Sequence, residues 1–345
     1  MGMLRRHFDG QLDNSKLCHG AISGLLKATG DPYTVFLDEK DFKAIEEMRS
    51  GGFGGIGVVF GKRNNAYVVI SVLDDTPGAK AGVKAGDKII AVNGKFIQDM
   101  HMDEVAYAIR GEVGTEVEIT LLDKNKKERK VKIVRAMIKA PSVIGKAVEN
   151  TNDKIGYIRI GQFNDNTAQD FHNELVKLAD KGMQGLILDL RYNPGGLMDQ
   201  AVMVCRELVP KGVIVSTVQK NGKMYEEKSY LDKVRWPLVV LVNEGSASAS
   251  EIVAGAVKDT KAGVLIGTKT FGKGSVQAVY PLEGEKNIGM KITIAKYYTP
   301  SGVCINDIGI EPDIQVELPD NSKIDTQLEA AKKYLMDKVN KVDFI

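Results

Sequence analysis

The stretch from Asn243 to Glu251 reads NEGSASASE, with three serines on alternate positions. It follows the apolar run PLVVLV and precedes IVAGAVKD, an order of strand, turn and helix. A serine at such a turn sits at the mouth of a sheet, where the free N–H groups of a helix start can stabilise an oxyanion. A plainer reading fits the same residues. Ser248 and Glu251 form the S-x-x-E pattern of a capping box, so Ser248 serves equally well as a helix cap.

A serine nucleophile needs a base. The four histidines are His7, His19, His101 and His172, and none lies in a loop after a core strand. Ser246 also lacks the G-x-S-x-G elbow, because Ala247 and Ser248 follow it. Lysine is the recorded alternative, and GTKTFGKGSVQ supplies Lys273 between Gly272 and Gly274. A lysine acts as a base only when neutral, and burial moves its pKa in that direction. On the surface it is an ordinary solvated cation. Gln277, four residues on, falls on the side of Lys273 in either helix or strand, where a neutral amide orients the amine without holding its proton.

The same stretch has a rival reading. Gly267 to Lys273 fits G-x-x-x-x-G-K, the phosphate-cradling loop. Gly274 stands where a Ser or Thr should meet magnesium, and SVQAVYPL reads as strand rather than helix, so nucleotide binding ranks below catalysis. A third stretch, LILDLRYNPGGLMDQAV, ends a strand in Asn193-Pro194-Gly195-Gly196. Its glycine N–H groups offer a second oxyanion donor, or simply an ordinary strand–helix turn.

These loops need a scaffold, and the chain has material for one. Its 345 residues are 43% hydrophobic and 27% charged, a soluble globular composition with length for two domains. A net charge of +2 without a basic block excludes a nucleic-acid partner. Cys18, Cys205 and Cys304 are scattered and lack CxxC spacing, which argues against a zinc site or a disulfide framework. No run approaches the roughly 18 apolar residues of a membrane span, and MGMLRRHFDGQ has no apolar signal core. The chain reads as cytoplasmic or as one whose anchor was removed.

Residues 1–48 read as helical, with Asp38 as an N-cap. Residues 49–138 read as hairpins with tight turns at Asn64–Asn65 and Asn93–Gly94, and with a short helix presenting Met102, Val105 and Ile109 on one face. Residues 139–318 alternate strand and helix, and 319–345 hold a last amphipathic helix. The terminal helices suit either homo-oligomer contacts or packing on the chain's own core.

Taken together these pieces resemble the carboxyl-terminal processing peptidases, the tail-specific serine peptidases. The matching stretches run in order: DPYTVFL, GGFGGIGV, PGAKAGVKAGDKIIAVNG, GYIRIGQF, LDLRYNPGG, NEGSASASEIVAGA, GTKTFGKGSVQ, then YYTPSG and GIEPD. The resemblance implies an α/β (α+β) fold, a crotonase-like or ClpP-like ββα protease core with an inserted PDZ domain and terminal helical segments. It implies a Ser/Lys dyad of Ser248 and Lys273 with Gln277, and an oxyanion hole of Ala249 N–H with Gly195 or Gly196. It also implies peptide capture by the loop Gly55-Ile56-Gly57-Val58 and a pocket lined by Val105 and Ile109. The expected substrates are proteins or peptides with free, apolar C-termini. No metal, nucleotide or other cofactor is expected, and the expected location is outside the cytoplasmic membrane. A catalytically silent PDZ scaffold is the alternative. One corner departs from the family: Val303 and Cys304 stand where an arginine and a small polar residue are usual.

Overall fold

The structure, a computed structural model, describes residues 2–63, 66–100, 102–139, 141–152, 154–282, 287–319 and 324–342. The turn expected at Asn64–Asn65 and the residue His101 lie outside these. The chain divides into two compact units, Met1–Arg49 with Ser142–Ile345, and Ser50–Pro141.

The larger unit is built on a six-stranded sheet in the order Val143–Ala147, Ile155–Ile160, Gly185–Asp189, Leu238–Val242, Val264–Gly267, Ile314–Gln315. Its first pair is antiparallel and the rest are parallel. All five residues of LVVLV and of GLILD are buried. Such unbroken apolar runs belong to a sheet covered on both faces. Strand alternation then divides the side chains. Leu186, Leu188, Val240 and Val242 pack with the helices Thr167–Asp180, Met198–Leu208 and Ala249–Asp259. Ile187, Val239 and Leu241 face the opposite way, onto Ala331, Leu335 and Val339 of the helix Thr326–Val342. The last helix therefore packs on the chain's own core.

Gly185–Asp189, Leu238–Val242 and Val264–Gly267 are sheet neighbours running parallel. The loops after them leave from the same edge of the sheet, side by side. These loops are NPGG, NEGSASAS and TKTFGKG, and the carboxyl ends of parallel strands are where such sheets place their ligand sites. Three distant motifs thus become one neighbourhood through topology.

A second sheet of this unit pairs Gly289–Tyr298 with Ser275–Pro281, Gly212–Gln219 and Val35–Leu37. The N-terminal segment is not wholly helical. Val35–Leu37 is a strand paired with Gly289–Lys291, and its partner lies some 250 residues away in a sequence whose local pattern carries no sign of the pairing. Asp38 does cap the following helix, accepting from Asp41 N–H at 2.8 Å.

The smaller unit has a six-stranded antiparallel sheet with Val58–Arg63 at one edge, and a separate strand pair of Gly52–Gly55 with Ala136–Lys139. The helix Met102–Ile109 buries Val105 and Ile109 in the core of this unit. Met102, expected on the same face, is exposed because it stands at the helix start beyond the edge of that core.

Candidate active site

Ser248 stands between Val242, where the central strand ends, and the helix Ala249–Asp259. Its backbone has φ 55° and ψ −114°, a conformation a β-carbon disfavours. Such strain persists only when the surroundings over-determine it, and here they do. Ser246 Oγ donates to Leu190 O at 2.8 Å, and Ser250 Oγ donates to Asn193 O at 3.0 Å. The Ala247 N–H also donates to Asn193 O, at 3.0 Å. The flanking serines are fully buried and lace this loop to the NPGG turn, while Ser248 between them stays half-buried.

Glu251 binds the two catalytic candidates together. It is fully buried and closes the capping box at the helix start. Its Oε2 accepts the Ser248 N–H at 2.8 Å and the Lys273 N–H at 2.9 Å. Its Oε1 accepts the Gly272 N–H at 2.7 Å and the Thr270 hydroxyl at 2.6 Å. One carboxylate oxygen thus bonds residues 25 positions apart in the sequence. Tyr297, buried beside them, donates its hydroxyl to Lys273 O at 2.6 Å, with Ser248 O at 3.1 Å. Burial holds that phenol in its neutral form, well above the usual tyrosine range.

The half-buried Lys273 lies below the usual lysine range. Burial is the main cause, the charge of Lys291 adds to it, and Glu251 works in the opposite sense. No hydrogen bond joins the amine to Ser248 Oγ. Lys273 Nζ lies instead over the ring of Tyr33, 4.7 Å from its centroid. Gln277 departs from expectation. Its Nε2 donates to Ser275 Oγ at 2.9 Å and Thr293 Oγ1 at 3.3 Å, and it makes no bond to Lys273. The reason is local: Lys273 precedes the strand, and a bulge between Val276 and Gln277 breaks the two-residue alternation.

The two glycines of NPGG differ. The Gly195 N–H donates to Asn193 Oδ1 at 2.9 Å, whereas the Gly196 N–H has no partner among the described residues. Gly195 has φ 101°, and a β-carbon there would lie 2.8 Å from Ser248 Cβ. Gly196 has φ 137°, and its β-carbon would meet Phe163 O at 2.0 Å. Neither position accepts another residue. The Ala249 N–H, first in its helix, also lacks a partner among the described residues.

The phosphate-loop reading fails on this geometry. The Gly272 and Lys273 N–H groups that would cradle a phosphate are held by the Glu251 carboxylate, and a strand, Ser275–Pro281, follows instead of a helix.

In the smaller unit, Ile56 is buried and its carbonyl accepts the Gly78 N–H at 2.7 Å. Gly57 has φ 75°, and its carbonyl accepts the Leu73 N–H at 2.9 Å. The N–H groups of Ile56 and Gly57 have no partner among the described residues. Gly55 ends its strand, and Val58 begins the edge strand Val58–Arg63. Val105 is 0% exposed and Ile109 5%, so both are core residues with no open face in this arrangement.

Sequence reasoning missed Glu251 as more than a cap partner, and missed Tyr33 and Tyr297 altogether. A charged residue inside the apolar run ASEIVAGAV was the available signal for Glu251. Tyr33 and Tyr297 reach the site through sheet pairing, which leaves no local mark.

Comparison with known proteins shows what this chain is similar to. Residues 154–316 match the model of peptidase family S41, and residues 68–123 match a PDZ domain. A carboxy-terminal-processing protease of Bartonella bacilliformis is 42% identical over 327 residues, covering 89% of this chain and 71% of that protein. The carboxy-terminal processing protease CtpA of Bacillus subtilis is 37% identical, covering 93% and 68% respectively. Among solved structures, the photosystem II D1 C-terminal processing protease superposes with a TM-score of 0.57 at 32% identity, covering 95% of this chain and 88% of that one.

Proposed function

The chain belongs to the C-terminal processing serine proteases of peptidase family S41, with a PDZ domain, and on that premise we propose that Ser248 is its nucleophile and Lys273 its base. As a peptidase it takes protein or peptide substrates. The observation that carries the dyad is the shared Glu251 oxygen, which brings the backbones of Ser248 and Lys273 against one acceptor.

Neutral Lys273 takes the Ser248 hydroxyl proton as Oγ attacks the scissile carbonyl. The oxyanion accepts from the N–H groups of Ala249 and Gly196, the two without other partners among the described residues. Gly195 keeps the space beside Ser248 clear. As the intermediate collapses, the leaving amine takes the proton back from Lys273. Water, activated by the same amine, then hydrolyses the acyl-enzyme. Gln277 acts at one remove, through its bonds to Ser275 and Thr293.

The PDZ unit reads free C-termini. A carboxylate would take the unengaged N–H groups of Ile56 and Gly57, and the peptide would add as a strand to the open edge at Val58–Arg63. An apolar terminal side chain would enter against Val105 and Ile109 once the helix Met102–Ile109 gives way. A homo-oligomer through the N-terminal helices, and a location outside the cytoplasmic membrane, complete the reading. Among the described residues no helix is long and apolar enough to cross a membrane. The family match favours the active reading over the catalytically silent scaffold.

The test compares one loosely folded substrate with a free and an amidated C-terminus. Faster cleavage of the free form is expected. Equal rates would sink the tail-reading part, and cleavage by Ser248→Ala would sink the nucleophile.

A further inference from the structure

The turn Asp31–Thr34 lies more than two hundred residues before Ser248 and Lys273, yet it is built into their neighbourhood. Asp31 Oδ1 accepts the Tyr33 N–H at 3.2 Å, and Asp31 Oδ2 accepts the Thr34 hydroxyl at 2.6 Å. Thr34 Oγ1 in turn accepts the Thr293 N–H at 3.1 Å, and Val35–Leu37 continues the turn as a strand against Gly289–Lys291. The Asp31 carboxyl is partly desolvated, which opposes ionisation, but hydrogen bonds from Thr293, Thr34 and Tyr33 prevail and hold it below its usual range. The turn is therefore a fixed platform. What it presents to the site is the ring of half-buried Tyr33, 4.7 Å from Lys273 Nζ. Among the described residues that amine has neither an ion pair nor a hydrogen bond, so the ring is its partner in this structure.

We propose that Tyr33 is a positioning residue for the catalytic base, a holding face that binds the Lys273 ammonium off Ser248 and releases the neutral amine. The inference rests on the Ser248/Lys273 reading. An aromatic face attracts a cation strongly and a neutral amine weakly. The ring thus favours the protonated, parked form and so opposes premature deprotonation of the nucleophile. The other groups facing Lys273 divide between the two states. Lys291, on the strand Gly289–Tyr298, and burial favour the neutral amine, while Glu251 on the helix favours the ammonium. Asp31 is committed to its own turn, and the Tyr297 hydroxyl donates to the Lys273 carbonyl rather than the amine. The contact also gives the N-terminal segment a reason to fold with the protease core.

The test measures the pH dependence of single-turnover Ser248 acylation by an activated p-nitrophenyl peptide ester, with p-nitrophenolate as the leaving group, in the full chain with Tyr33→Leu, Tyr33→Phe, Lys273→Ala and Ser248→Ala. Removing the π-face takes away a contact that stabilises only the ammonium, so the pKa falls. In Tyr33→Leu the acid limb moves down by about half to one pH unit, and acylation on that limb is about 3- to 10-fold faster. Tyr33→Phe keeps the face and leaves the limb in place. A merely structural role would slow the reaction instead. The Lys273 side chain, titrated by 13C NMR in Ser248→Ala protein, shows the same downward shift when Tyr33 is replaced by Leu, or by Met should the Leu variant not fold. An unmoved or raised limb in folded Tyr33→Leu, with Lys273→Ala inactive, overturns the holding face and spares the dyad. Wild-type acylation in Lys273→Ala overturns the dyad and the holding face with it.

Discussion

Replacing Glu251 by Gln tests how the site is held together. Four donors converge on the buried carboxylate: the Ser248, Gly272 and Lys273 N–H groups and the Thr270 hydroxyl. An amide can satisfy only one side of that arrangement. If its oxygen keeps Ser248 and Lys273, its NH2 faces the Gly272 N–H, although the Thr270 hydroxyl can rotate to accept. If it turns over, two backbone N–H groups lose their acceptor. One or two charge-assisted hydrogen bonds are lost, each worth about 1.5–3 kcal/mol, for a total of about 1.5–6 kcal/mol. Expressed in the alignment of the two loops, this is a fall of about 10- to 10,000-fold in the acylation rate. Expressed in folding, it is the same loss in unfolding free energy. The pH profile carries a separate signature. The negative charge of Glu251 raises the proton affinity of Lys273, so removing it lets that pKa fall further and moves the acid limb of activity to lower pH. The assay is single-turnover acylation across pH, with urea unfolding of the same protein. Full activity and stability, or a slow enzyme whose limb moves up, would refute the reasoning.

Further outcomes follow from the same structure. Gly196→Ala places a methyl 2.0 Å from Phe163 O, so acylation should fall at least about 100-fold as the oxyanion donor shifts, read as kcat rather than KM. Lys273→Met should gain stability at neutral pH in a urea titration. The folded lysine has the lower pKa, the unfolded chain therefore binds more protons, and wild-type stability rises with pH only up to the unfolded lysine value; no gain would contradict the assigned direction. Arg191→Met leaves the fully buried Asp189 unpaired and frees Asp325 at the start of the last helix, at a cost of about 3–5 kcal/mol in unfolding free energy. In the wild type, burial of Asp325 opposes its ionisation, but the Arg191 hydrogen bonds win and depress its pKa. That part of the stability is present above the unfolded aspartate value and is lost as pH falls through the folded one, which acid unfolding of wild type against Asp325→Asn would reveal.

Much of this site can be read from residue types because its scaffold is local in character. LVVLV and GLILD are apolar runs bounded by Gly, Pro and Asn, and such runs before helical patterns place loops at strand ends. That three of these loops adjoin depends on strand order, which no single segment encodes. Gln277 shows the limit of periodicity: a one-residue bulge turned it toward Ser275 and Thr293. Val35–Leu37 shows another, since a three-residue strand owes its form to a partner across the fold. The roles of Glu251 and Tyr33 became legible only through burial and distance. In sequence a glutamate at the third helical position is a cap partner, and a tyrosine in DPYT is a turn residue. Val105 shows a local pattern that held: its spacing with Ile109 put both on one helix face, and that face is buried in the core of the smaller unit.

The central claim is that Lys273 deprotonates Ser248. Intact-mass and peptide-mapping analysis after brief fluorophosphonate treatment at neutral pH tests it most directly. The account predicts one adduct on Ser248 in the wild type, none in Ser248→Ala, and none in a folded Lys273→Ala protein. An adduct on Ser246 or Ser250, or labelling of Ser248 at the wild-type rate without Lys273, would contradict it.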